Sequence, residues 1–119
     1  MILLVEDEEI LRDLLYKVIN KKYSDGIITA TNGSEGLMQY INHKDEIDLI
    51  ISDIVMPELD GISMIESIKK INQSVNVVLM TGNNIDINKN FNDICNYFIR
   101  KPVSPNLLLH VISDLTKHS

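Results

Sequence analysis

The sequence predicts an α/β fold, a doubly wound parallel sheet with helices on both faces. Three observations predict it. Short apolar runs alternate with amphipathic segments along the whole chain, the pattern of β-α units. The runs Ile2 to Val5 and Val75 to Met80 carry almost nothing suited to solvent, as central strands buried on both faces do. The intervals between runs each hold a helix-length segment, which implies parallel strands joined by right-handed crossovers.

Ile2 to Val5 is the first strand. Ile10, Leu11, Leu14, Leu15, Val18 and Ile19 then recur at helical spacing, with Lys17, Lys21 and Lys22 towards the end, where cations suit the helix dipole. Asp25-Gly26 gives a turn and Ile27 to Ala30 a second strand. Asn32-Gly33-Ser34 starts a helix whose apolar residues are Leu37, Met38 and Ile41. Leu49 to Ser52 is the third strand, and a Pro57 to Gly61 loop leads to a third helix with Met64, Ile65, Ile68 and Ile71 on one face. In that loop proline fixes the path, and glycine allows an unusual backbone angle. After the fourth strand, Val75 to Met80, the segment Asn83 to Asn96 is rich in Asn and poor in helix formers, so a fourth helix is expected to be short or irregular. Tyr97 to Ile99 is a fifth strand. Ser104-Pro105 starts a last helix striped by Leu107, Leu108, Val111, Ile112 and Leu115.

The 119 residues suffice for one core and leave no room for a second, so a single domain over residues 1–119 is expected. Hydrophobic residues at 45% and charged residues at 24% fit a globular, cytoplasmic protein, and the apolar runs are too short to span a membrane. A net charge of -6 argues against direct nucleic-acid binding. The one cysteine, Cys95, excludes an internal disulfide and reads as a small apolar group. His43, His110 and His118 have no metal-ligand spacing, and Asp45, Glu46 and Asp48 read as a solvated loop.

In such sheets ligands sit outside the carboxyl ends of the strands. The first strand ends in Glu6-Asp7, the third in Asp53, the fourth in Thr81 and the fifth in Lys101-Pro102, so these residues converge on one edge. Three carboxylates about 5 Å apart repel by about 3 kcal/mol per pair at an effective dielectric near 20, which calls for a cation. Mg2+ suits an all-oxygen site that also receives a phosphoryl group. The Thr81 hydroxyl and Lys101 ammonium suit further phosphoryl oxygens, and Asp53 is the candidate nucleophile.

Four motifs, LLVEDE (Leu3 to Glu8), LIISDIVMPELDG (Leu49 to Gly61), VVLMTG (Val77 to Gly82) and the Lys101-Pro102 pair, follow one another as in the receiver domains of two-component response regulators. The chain resembles that family over essentially its whole length. The resemblance implies a flavodoxin-like sheet of order 2-1-3-4-5. It implies that Asp53 accepts phosphate from a sensor histidine kinase or a histidine phosphotransfer protein. Asp7 and Asp53 would bind Mg2+, Glu6 would bind it directly or through water, and the Val55 backbone carbonyl would complete the protein's share. Thr81 and Lys101 would bind the phosphoryl group and Phe98 would be the switch aromatic, with neighbouring Tyr97 leaving the register open. Gly82 would keep access free, and Asn83 and Val55 stand at positions that tune phosphoryl lifetime in relatives. The Lys101-Pro102 bond is often cis in the family. The implied partners are a downstream output protein or a missing effector domain, and a phosphorylation-linked dimer. A chain closing on TKHS fits a stand-alone receiver or an excised domain.

The leading expectation is a phosphorylation-controlled signalling switch, a phosphoacceptor rather than an enzyme. Two alternatives remain: a receiver-like interaction module no longer controlled by phosphate, and a Mg2+-dependent phosphatase with an aspartyl-phosphate intermediate. Such phosphatases usually place a second acid two residues after the nucleophile, where this chain has Val55.

Overall fold

The computed structural model describes residues 1–56, 58–82 and 93–116. Pro57, Asn83, most of the expected fourth helix and His118 lie outside the described residues. The order of elements is β1 (Ile2–Val5), α1 (Glu9–Asn20), β2 (Ile27–Ala30), α2 (Gly33–Asn42), β3 (Leu49–Asp53), α3 (Gly61–Ile71), β4 (Asn76–Thr81), β5 (Tyr97–Arg100) and α4 (Pro105–Thr116). The last helix of the sequence reading is thus α4. The strands form one parallel sheet of order β2-β1-β3-β4-β5.

Two core layers sandwich the sheet. On one face Leu3, Val5, Ile50, Val77 and Leu79 pack against Tyr40 of α2 and Met64, Ile65 and Ile68 of α3. On the other, Ile2, Leu4, Leu49, Ile51, Val78 and Met80 pack against Leu15 and Ile19 of α1 and Leu108, Val111 and Ile112 of α4. This alternation is the period-2 geometry of a strand covered on both faces. Among the described residues no helix is long and apolar enough to cross a membrane.

Three strands run one residue further than their apolar composition indicates. β3 includes Asp53, paired with Met80; β4 runs Asn76 to Thr81; β5 reaches Arg100, paired with Thr81. Ladder hydrogen bonds use backbone groups, so a polar side chain at the end of a strand does not stop the pairing.

Helix faces differ from the expected stripes. Ile10 and Leu14 of α1 are exposed, as are Met38 and Ile41 of α2, Ile71 of α3 and Leu107 of α4. In α2 the buried face is instead Gly33, Gly36 and Tyr40. A Cβ at Gly36 would lie 2.5 Å from Met64 Sδ and 3.0 Å from Val5 Cγ2, so the missing side chain is what lets α2 pack so close. Asn32 caps α2 by accepting from Glu35 N at 2.8 Å, Asp60 caps α3 by accepting from Ser63 N at 2.8 Å, and Ser104 Oγ accepts from Leu107 N at 3.3 Å at the start of α4. Cys95 is half-buried against the first core layer, and burial pushes its thiol pKa up.

Candidate phosphoacceptor site

β1 and β3 are neighbours in the middle of the sheet, in register from Ile2 and Leu49 to Val5 and Ser52. Their equal reach delivers Glu6, Asp7 and Asp53 to the same edge. One carboxylate oxygen of each lies within 4.8 Å of the others. Glu6 is fully buried, Asp53 is 6% exposed and Asp7 is exposed, so the cluster has two walls and one open side.

Lys101 reaches into this cluster from the end of β5. Its Nζ donates to Asp53 Oδ2 at 2.7 Å and lies 3.1 Å from Glu6 Oε1. The Lys101 backbone N–H donates to Thr81 O at 2.7 Å, and the Lys101-Pro102 bond is cis. Burial works to lower the Lys101 pKa, but contact with Asp53 and Glu6 outweighs it and raises the ammonium above its usual range. Glu6 also moves up, which for a carboxylate favours the neutral form. Burial, reinforced by the Asp53 charge, pushes it up to about 7, against the lowering effect of the Glu8 N–H and of Lys101.

Glu6 Oε2 accepts from Glu8 N at 3.1 Å, but buried Oε1 accepts no well-aligned hydrogen bond. That oxygen is left to its ion pair with Lys101 Nζ, an ammonium it shares with Asp53. Three carboxylates within 4.8 Å share that one ammonium, and a further cation among them would balance the remaining charge. The donor set is all oxygen, which suits a hard divalent ion rather than a soft one. The residues present therefore fit a divalent metal.

Thr81 closes β4 one residue beyond the partner of Asp53; it is 2% exposed and its Oγ1 donates to Gly82 O at 3.1 Å. A Cβ at Gly82 would meet none of the described residues within 4 Å. Val55 is exposed on the loop after β3. Phe98 is half-buried against the α2 and α3 core layer, whereas Tyr97 is turned to the other face, where its hydroxyl donates to Asp114 Oδ2 of α4 at 2.5 Å. Of the expected site residues, Glu6, Asp7, Asp53 and Lys101 meet in one cluster, Thr81 and Gly82 flank it, and Phe98 packs in the core. Asn83 lies outside the described residues.

Three supports escaped the sequence reading. Ser52 Oγ donates to the Asp53 carbonyl at 2.8 Å. Gly61 was expected to supply an unusual backbone angle, yet its role is close approach: a Cβ there would lie 2.1 Å from Asp53 O, and Gly26 is the described glycine with positive φ. The left-handed residue of the loop is Glu58, at φ 67°. Arg12 Nη1 donates to the Glu6 carbonyl at 2.9 Å. The one available signal was a cation in the first turn of a helix, where the dipole disfavours it.

A family model described as "Response regulator receiver domain" matches residues 2–113. The chain is similar to the transcriptional regulatory protein GlrR of Escherichia coli (strain K12), 31% identical over 121 residues covering 99% of this chain and 26% of that protein. It is also similar to the chemotaxis protein CheY of Thermotoga maritima, 28% identical over 118 residues covering 98% of this chain and 97% of that protein. The chain thus spans about a quarter of GlrR and nearly all of CheY. Among solved structures, a response regulator receiver domain protein from Clostridium thermocellum superposes with a TM-score of 0.85 at 28% identity, covering 96% of this chain and 91% of that one. The receiver domain of NtrX from Brucella abortus gives 0.86 at 26% identity, covering 100% of both chains. A sequence match across almost the whole fold, on a sheet whose strand ends gather the acid cluster such a switch uses, leads to one conclusion: this chain belongs to the response regulator receiver domain family, whose members are phosphoacceptors rather than turnover enzymes.

Proposed function

We propose that residues 1–119 act as a single receiver domain that takes a phosphoryl group on Asp53 from a sensor histidine kinase or histidine phosphotransfer protein, in a Mg2+-dependent reaction. The observation that carries this is the convergence of Glu6, Asp7 and Asp53 to within 4.8 Å with Lys101 2.7 Å from Asp53. Asp7, Asp53 and the Val55 carbonyl would hold the ion, with Glu6 binding directly or through water. When bound, Mg2+ neutralises charge on the phosphoryl oxygens.

In the transfer, an Asp53 carboxylate oxygen forms a bond to phosphorus as the phosphorus–nitrogen bond to the donor imidazole breaks. Lys101 already touches the accepting carboxylate and needs only a small shift to pair with a phosphoryl oxygen. The Thr81 hydroxyl leaves the Gly82 carbonyl to donate to another. Both movements pull on the β4 and β5 ends, and Phe98, three residues before Lys101 on β5, carries the change to the surface. Gly82 leaves the approach free, while Val55 and Asn83 tune the lifetime of the acyl phosphate. Membership of the family implies a histidine-phosphate donor and a downstream effector. That effector is either a further domain, as the length of GlrR allows, or a separate protein or second copy.

Incubation with Mg2+ and a small-molecule phosphodonor is expected to add one phosphate by mass, and Asp53→Asn to abolish it. An unmodified wild-type protein would count against the reading. A phosphatase would instead turn over a phosphate ester; Val55, exposed and apolar where a second acid is needed, disfavours it.

A further inference from the structure

The first turn of a helix carries partial positive charge and is an unfavourable place for a cation. Arg12 nonetheless stands at the fourth position of α1, half-buried, with its guanidinium turned back to the Glu6 carbonyl at 2.9 Å. The helix start is short of other anchors, since Glu8 at the N-cap makes no side-chain cap bond. Besides the Lys101 ion pair at Oε1, Glu6 is held at three points. Its N–H donates to Ala30 O at 3.1 Å, its Oε2 accepts from Glu8 N, and its carbonyl accepts from Arg12. That carbonyl lies in the planar peptide joining Glu6 to Asp7, so its orientation sets the direction in which Asp7 leaves the strand end.

We propose that Arg12 is a positioning residue for the cation site: by fixing the Glu6–Asp7 peptide it holds the Glu6 and Asp7 carboxylates converged on Asp53. The inference rests on the reading of that cluster as a Mg2+ site. Charge alone makes the opposite prediction, because removing a cation beside three carboxylates strengthens their attraction for a divalent ion. The sign of the change separates the two.

The test is a Mg2+ titration of the unphosphorylated protein, followed by NMR, for wild type, Arg12→Met and Arg12→Lys. Arg12→Met keeps an unbranched stem and loses both donor and charge. Its Kd for Mg2+ is expected to rise about tenfold, in the range found for residues that orient metal ligands. Arg12→Lys keeps the charge without the planar fork and is expected to recover part of this, leaving Kd about threefold above wild type. The Asp7 and Glu8 amide resonances should move in both metal-free variants while those of β4 stay. The Mg2+ concentration for half-maximal phosphorylation should rise in step with Kd, with the rate at saturating Mg2+ near wild type. Unchanged or tighter Mg2+ binding in either variant overturns the proposal. If wild type takes up no Mg2+, the metal reading fails instead, and unmoved Asp7 and Glu8 amides in Arg12→Met then overturn the role given to Arg12.

Discussion

Replacing Gly61 by alanine tests how tightly the acceptor strand is bound to the helix that follows it. The added Cβ would lie 2.1 Å from the Asp53 carbonyl oxygen and 3.1 Å from the Asp53 carbonyl carbon and Ile54 Cα. The first distance is roughly 1 Å inside ordinary contact, and these three nearest atoms are all backbone, so no side chain can swing away. Either α3 or the Asp53–Ile54 peptide must move. The two bonds most exposed to that movement are Gly61 N to Ile54 O at 2.8 Å and Ile54 N to Met80 O at 3.0 Å. Overpacking of this kind costs about 1–3 kcal/mol, and weakening one backbone hydrogen bond adds about 1 kcal/mol. A loss near 3 kcal/mol is therefore expected, with Tm lowered by about 10 °C. A shift of about 1 Å in the Asp53 carboxylate would also slow phosphorylation by up to about 100-fold. Urea and thermal unfolding, run beside Gly82→Ala, provide the measurement. Gly82→Ala adds a methyl with none of the described residues within 4 Å and should fall within about 0.5 kcal/mol of wild type. A Gly61→Ala protein as stable and as readily phosphorylated as wild type would refute the reasoning.

Further outcomes follow from the same geometry. In chelator, the Glu6 contribution to stability is fully present below its unfolded value of 4.5 and is lost as pH rises through about 7, because the fold favours the protonated form. Urea midpoints in chelator should fall across that window for wild type and flatten for Glu6→Gln, which should also remove the stabilisation that Mg2+ gives at pH 8. Glu58→Gly relieves a left-handed backbone at φ 67° and should raise stability by about 1 kcal/mol in the same assay. Tyr97→Phe removes a hydrogen bond between exposed groups and should leave the thermal unfolding midpoint close to that of wild type.

The strands and the strand-end residues were legible in the sequence because burial on both faces demands apolar runs, and a charged residue closing such a run needs a reason. The helix faces were less legible. Ile10, Leu14, Met38 and Ile41 fit an apolar stripe by spacing, but which side of a helix meets the sheet depends on the crossover, and in α2 two glycines and Tyr40 take the inner face. Gly61 was noticed for the wrong property: its sequence context suggests a turn angle, while the contact that needs it is with a residue eight positions earlier. Arg12 was not singled out, because its partner is a backbone carbonyl, which no side-chain pattern records.

The place of the two contact partners in the sheet has a mechanical consequence. Asp53 belongs to β3, bordered by β1 and β4, and its peptide is further clamped by Ser52 and Gly61. Lys101 hangs from β5, which has one neighbour. The pair works as a vice with one fixed jaw and one movable jaw. On the proposed function, a phosphoryl group placed between them is expected to displace the lysine side more than the carboxylate.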